Sequence, residues 1–306
     1  LRRASDRPAD LIDAVAAAGN GHDMSKGSGR NQQAVRSFET MPKSRDGSAQ
    51  ALPEAAISPD GRRAAPSDGA LQQGQARERA REILRRLEEL YGVPEWRHRL
   101  GAMDELIACI LSQHTSDVNS LRAFDRLTKR FGDWEAVIDA DPRDVADAIR
   151  CGGLADSKAV RIQAVLRAIR EEHGAITLDF LKTQTDEEAR AYLMSLPGVG
   201  PKTAAIVLCF ALGRPVIPVD THVFRVAWRL GLIEKRIGEA KAHDALQAIV
   251  PDDLVYAFHV LLIQHGRRIC KAPTPRCAEC PLTDLCDYYR ASGRASSQNA
   301  KAIQPT

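Results

Sequence analysis

The chain has 306 residues, enough for one or two domains, with 44% hydrophobic residues and a formal net charge of +3. That balance fits a globular protein, and the positive excess is too small to announce a nucleic-acid partner unless local basic clusters do so. The longest apolar run, Ala204 to Leu212, falls well short of the roughly 20 residues that span a bilayer, and Asp13 breaks the apolar stretch Leu11 to Ala18. No membrane segment or secretory signal is therefore expected. The protein is read as cytoplasmic (nucleoid-associated if bacterial), with an organelle or the nucleus left open.

Residues 1–77 hold one aromatic side chain, Phe38, and no cysteine, and are rich in Gly, Ser, Pro, Ala and Arg. Such a segment buries too little apolar surface to offset its ordering entropy and is expected to be disordered. The small, polar tail 291–306 is read the same way. Between them, residues 78–290 are helical in pattern. Arg77 to Tyr91 carries Ile83, Leu84, Leu87 and Leu90 on one face. Asp104 to Leu111 is apolar, and Asp117 to Phe131 repeats Val118, Leu121, Phe124 and Leu127. Ser116-Asp117 reads as a cap for that helix. Asp141-Pro142 opens a helix with Val145, Ala148 and Ile149, ended by Gly152-Gly153, and Ser157 to Glu172 repeats Val160, Val165 and Ile169. Further helices are expected over Thr185–Ser195, Lys202–Leu212, Asp220–Leu230, Ile237–Ile249 and Leu254–Gly266. No run alternates as strands do, so the fold class is all-α.

Two stretches carry chemistry. Leu-Pro-Gly-Val-Gly-Pro-Lys, residues 196–202, reads as a tight turn between helices, with Gly198 and Gly200 supplying backbone freedom and exposed amides that suit a phosphate. Lys202 then lies in the first turn of a helix, where the dipole disfavours its ammonium form; partial burial would act in the same direction. By itself such a lysine is better read as a solvated charge, and Asp220 reads as the N-cap of the helix starting at Thr221, a role it could combine with partnering Lys202. The second stretch is a cysteine cluster: Cys270, Cys277, Cys280 and Cys286 fall within 17 residues, whereas Cys109, Cys151 and Cys209 lie scattered in apolar surroundings. Four thiolates so spaced suit either zinc or an iron–sulfur cluster. Lys271 and Arg276 lie between the first two ligands, after Arg267-Arg268, and could meet phosphates or simply be solvated.

Leu196–Ala204 followed by Val219–His222, with the cysteine spacing, resembles the endonuclease III family of DNA glycosylases, in the helix-hairpin-helix Gly/Pro…Asp superfamily. The resemblance covers roughly residues 80–288. It implies a two-lobed fold, with a six-helix barrel bearing the hairpin over 101–216 and an iron–sulfur lobe built from 78–100 plus 217–290. Double-stranded DNA would lie across a cleft where the hairpin, Lys202 and Asp220 converge. The family lysine attacks C1′ of the damaged nucleotide, and the aspartate assists it or stabilises the developing sugar cation; these roles fall on Lys202 and Asp220. The four clustered cysteines are implied to hold a [4Fe–4S] cluster whose loop brings Lys271 and Arg276 to DNA.

The resemblance further implies that two loops fill the gap left by an everted base. One contains Gln113 and His114, with His114 at the position commonly held by an orphan-base-probing glutamine. The other is Gly152–Lys158, where Leu154 matches a wedge leucine. Cys109 stands where adenine-mismatch glycosylases carry a catalytic glutamate, which argues against that branch. The expected activity is base-excision repair of oxidised pyrimidines with cleavage at abasic sites, by a monomer. A glycosylase without lyase activity, a mismatch-specific one and a non-catalytic DNA-binding protein are the competing readings.

Overall fold

The computed structural model describes residues 68–293, and among these all regular structure is helical. The disorder expected for 1–77 and 291–306 falls outside the described residues except at 68–77 and 291–293. No single helix among the described residues is long and apolar enough to cross a membrane. The chain divides into two compact units, one being Arg97–Pro218 and the other 68–96 with 219–293.

The first unit contains α2 (Ala102–Ser112), α3 (Asp117–Phe131), α4 (Trp134–Asp139), α5 (Pro142–Ile149), α6 (Ala155–His173), α7 (Asp186–Ser195) and α8 (Pro201–Ile206). They enclose one apolar core that includes Leu106, Ile110, Leu127, Ile149, Ile162, Leu166, Leu193 and Leu208. The helix starts follow from local chemistry. Asp141 caps α5 by accepting the Arg143 amide at 2.8 Å, ahead of Pro142 at the first helical position. Thr185 and Glu188 form a reciprocal capping box on α7. Ser116 occupies the N-cap position of α3 without a side-chain cap bond. The apolar run after α8 continues as a π-helical turn over Val207–Ala211.

Three local expectations are corrected in this unit. α4 had no counterpart in the sequence reading, because six residues are too few to show a period; the Asp133 carboxylate starts it by accepting the Ala136 amide at 2.8 Å. Val160 is 58% exposed and Val118 65% exposed. The inward stripe of α6 is Ala155, Ala159, Ile162, Leu166 and Ile169, flanked by Val165. Five residues turn a helix through about 140°, so Val160 cannot share a face with Val165.

The second unit contains α1 (Asp68–Tyr91), α9 (Thr221–Arg229), α10 (Gly238–Gln247), α11 (Val255–Arg268) and α12 (Asp287–Ala291). The helical region therefore starts at Asp68 rather than at 78. The Gln73 amide and the Arg77 guanidinium both donate to the Ala248 carbonyl, which anchors that first stretch. Ile83, Leu84 and Leu87 are buried as expected, whereas Leu90 is 46% exposed near the C-terminal end of α1. The same helix grips the cysteine-rich segment. Arg79 donates to the Leu285 carbonyl at 2.5 Å and to Asp287 at 2.7 Å, and Arg86 donates to the Pro281 carbonyl at 3.1 Å and to Asp284 at 2.6 Å.

The corrected face of α6 is tested by a pair of truncations followed through urea unfolding. Leu166→Ala should cost about 2–5 kcal/mol, the usual range for emptying a packed core site. Val160→Ala should stay within about 0.5 kcal/mol, as surface changes do. Equal costs would contradict the assigned face.

Candidate active site and nucleic-acid interface

In the first unit, α7 ends at Ser195 and the chain turns through Leu196 and Val199, both buried. The Val199 amide closes this turn on the Leu196 carbonyl at 3.1 Å. Gly198 has φ +73°, and a Cβ there would lie 2.5 Å from Arg161 Nε, so glycine is required by both conformation and space. A Cβ at Gly200 would meet nothing within 4 Å, which leaves the start of α8 open. Pro201 is the first residue of α8 and Lys202 the second. Thr203, Ala204 and Ala205 take the buried side of that turn, so Lys202 is exposed. The partial burial considered from the sequence is not found.

The two loops nominated for gap filling lie in the same unit and share an unusual backbone. Among the described residues, the non-glycine residues with positive φ are His114 (φ 53°) and Leu154 (φ 52°). This region costs an L-residue roughly 1–2 kcal/mol and concentrates at functional sites. Leu154 is 60% exposed despite its apolar side chain. Gln113 is held differently: its Oε1 accepts from Arg161 Nη1 at 2.6 Å, and its Nε2 lies 3.5 Å from the Gly198 carbonyl. Arg161 thus ties Gln113 and packs beneath the hairpin glycine.

Lys158, in the first turns of α6, is 2% exposed. Its ammonium donates to the Leu111 carbonyl at 2.7 Å, to Thr115 Oγ1 at 2.7 Å and to the Gly152 carbonyl at 3.0 Å. Burial, and then the neighbouring Arg161 charge, lowers its pKa. Neither Lys158 nor Arg161 was assigned a role from sequence. The available signal was a basic residue interrupting the inward stripe that runs from Ala155 through Ala159 to Ile162. Cys109 is buried too, and desolvation followed by the Glu105 carboxylate pushes its thiol pKa up, so it stays protonated.

In the second unit, Asp220 is 8% exposed and is the N-cap of α9, its Oδ1 accepting the amides of His222 at 2.9 Å and Val223 at 2.8 Å. Arg225 Nη2 lies 3.0 Å from His222 Nδ1 and can only donate, so the His222 ring proton sits on Nε2. Desolvation lowers the pKa of His222.

Cys270, Cys277, Cys280 and Cys286 all line one cavity of this unit, with Arg229, His265, Pro275 and Tyr288 among the other walls. None of the four is joined in a disulfide. Arg229, 5% exposed, holds the segment after the first of them. It donates to the carbonyls of Lys271 and Ala272 at 2.8 Å each and to Cys270 Sγ at 3.3 Å, and its guanidinium lies 4.6 Å from the Tyr288 ring centre. His265 Nε2 lies 3.5 Å from Cys280 Sγ, and Tyr91 Oη lies 3.2 Å from the other ring nitrogen. Burial pushes the Cys280 thiol up to about 12 and raises Cys286 as well, with the other thiolates of the cluster adding repulsion. A cationic centre beside Cys280 and Cys286 would favour their thiolate forms against that burial. Among the described residues no set of three or more thiol, imidazole or carboxylate groups converges as the ligands of a single metal ion. An all-thiol donor set with an N–H···S bond suits a thiophilic centre spread over the cavity.

Beside this cavity an open groove is lined by Leu90, Tyr91, Arg267, Arg268, Lys271, Arg276 and Glu279. Lys271 and Arg276 are exposed, and Arg276 is partly compensated by Glu279 at 3.5 Å. Four cations against one carboxylate give this groove the local positive charge that the chain average conceals.

Residues 107–252 match the profile of HhH-GPD superfamily base excision DNA repair proteins. Endonuclease III of Thermotoga maritima is 35% identical over 222 residues, 72% of this chain and 97% of that protein. The Escherichia coli K12 endonuclease III is 36% identical over 208 residues, 68% of this chain and 94% of that protein. This chain belongs to the endonuclease III family. Its members are DNA glycosylases and abasic-site lyases of the base-excision repair system. A solved structure of a trapped endonuclease III–DNA covalent intermediate in an estranged-adenine complex superposes with a TM-score of 0.61 at 31% identity, covering 71% of this chain and 98% of that one. The helix-hairpin-helix architecture of this endonuclease III relative is thereby shared with a DNA-bound protein.

If the basic groove meets phosphates, Lys271→Ala should flatten the slope of log affinity against log salt by about 0.9, one phosphate contact, while weakening binding equally across sequences. Fluorescence anisotropy with duplexes at several salt concentrations measures it. An unchanged slope would remove Lys271 from the interface.

Proposed function

We propose that this protein excises oxidised or ring-damaged pyrimidines from double-stranded DNA and then cleaves the strand 3′ to the abasic site, with Lys202 as nucleophile and Asp220 as its assisting carboxylate. The observation that carries this reading is Lys202 itself, exposed at the second residue of α8 directly behind the Gly198–Gly200 hairpin, in a chain of endonuclease III ancestry. A monofunctional glycosylase would need no amine at that place.

The chemistry follows from an amine beside a sugar carbon. The neutral Nζ bonds to C1′ as the glycosidic bond breaks, the bonding pair leaving with the base and the amine shedding a proton. Ring opening gives an iminium. Loss of a C2′ proton then expels the 3′ phosphate by β-elimination, and water releases the lysine. The hairpin amides around Gly198 and Gly200 suit a phosphate. Leu154 and His114, exposed and held in left-handed backbone conformation, suit the vacated space in the stack. The neutral His222 donating through Nε2 and the groove residues Lys271 and Arg276 suit further phosphates.

The four clustered cysteines are read as holding a [4Fe–4S] cluster, supported by the single cavity they line and by the Arg229 N–H···S bond. When bound, the cluster cross-links the four thiolates and supplies a structural anchor for the segment carrying Lys271 and Arg276. Purified protein should contain about four iron atoms and about four acid-labile sulfides per chain, reduced by Cys280→Ser. One zinc and no sulfide would replace the cluster with a zinc site.

The enzymatic reading is tested on a duplex carrying one thymine glycol. Base release should be accompanied by a nicked product ending in an unsaturated aldehyde, and Lys202→Ala should lose both by about 10⁴-fold or more. Base release persisting in Lys202→Ala would mean that water, not the lysine, is the nucleophile.

A further inference from the structure

We propose that Lys158 is a positioning residue for base eversion: its ammonium binds the Leu154 loop to the His114 loop, so that the two enter the duplex as one body. The inference rests on the glycosylase reading above and adds a residue to it. Lys158 is 2% exposed, and its three N–H groups meet three neutral oxygens. One is the Leu111 carbonyl in the last turn of α2, where carbonyls lack helical partners. The others are Thr115 Oγ1 from the first loop and the Gly152 carbonyl from the second, and Thr115 Oγ1 also bonds the Gly152 carbonyl.

An ammonium is a costly choice for this place. It is desolvated, it lies in the first turns of α6 where the dipole is positive, and a methionine of similar length would pack without either cost. What an apolar side chain cannot do is satisfy three inward-facing acceptors at once. The anchor points also bracket the strain. His114 immediately precedes Thr115, and Leu154 follows Gly152 by two residues; both have positive φ. Strained residues persist where their surroundings over-determine them, and here Lys158 supplies the bonds on either side. Arg161, one turn further along α6, adds the link to Gln113 and the hairpin glycine.

The test uses the full chain with Lys158→Met, and Thr115→Val as a milder cut of the same knot. The first readout is 2-aminopurine fluorescence, with the reporter stacked next to a stable abasic analogue in a duplex bound to saturation. The second compares base release from thymine glycol with cleavage at a preformed abasic site, where no base has to be displaced. Wild-type protein should raise the fluorescence on binding. Lys158→Met should lose most of that rise and slow base release by about tenfold or more, keeping abasic-site cleavage within about threefold. Thr115→Val should shift the same quantities in the same direction by less. A general loss of structure would instead lower both reactions in parallel, and that result, or variants equal to wild type, overturns the inference. A wild-type protein that neither unstacks the reporter nor cleaves either duplex overturns the glycosylase reading and this inference with it.

Discussion

The ammonium of Lys158 gives its hydrogen bonds to Leu111 O, Thr115 Oγ1 and Gly152 O, and the working face of the Arg97–Pro218 unit is referred to that one buried point. α6 is the strut behind it. Leu154 precedes its first residue, Lys158 faces inward from its first turns, and Arg161 holds Gln113 while packing where a side chain at Gly198 would be. Two loops and a hairpin are thereby registered against one 19-residue helix, in addition to the bonds they make with one another. The base-eversion role proposed for these loops would demand it: a wedge that yields when pushed between bases unstacks nothing, and rigid elements hold a geometry better than loops do.

In the second unit the four clustered cysteines line one cavity. Its cysteine-rich segment has only two 3₁₀ turns and α12 as regular structure, and it is secured through side chains instead. Arg229 binds the chain after Cys270 from inside, while Arg79 and Arg86 of α1 bind the segment after Cys280 from the other side. Burial raises the pKa of the Cys280 and Cys286 thiols in that cavity, and the cluster proposed above would offset this when bound. Lys271 and Arg276 are exposed on that same segment.

Much of this was legible in the sequence because the motif residues act locally. A hairpin of Pro, Gly and Gly specifies its own turn, Asp220 caps its own helix start, and four cysteines within 17 residues line one cavity. The all-helical class followed from periodicity in the same way. What stayed hidden depends on distance along the chain. Lys158 reaches Leu111, 47 residues away, and Arg229 reaches Ala272, 43 residues away; no local pattern encodes those partners. Helix faces were misjudged where single valines were weighed by hydrophobicity instead of angle, as at Val118 and Val160. The start of α1 was missed because Gln73 and Arg77 are polar, and their anchor on Ala248 lies beyond any sequence window.

The central claim is that the amine of Lys202 becomes covalently joined to the sugar of the damaged nucleotide. Borohydride reduction during turnover on a thymine glycol duplex, followed by protease digestion and mass spectrometry of the DNA-linked peptide, tests it most directly. The account predicts a single adduct on the peptide containing Lys202, with Lys158 unmodified. An adduct on any other lysine, or base release with no adduct at all, would contradict it.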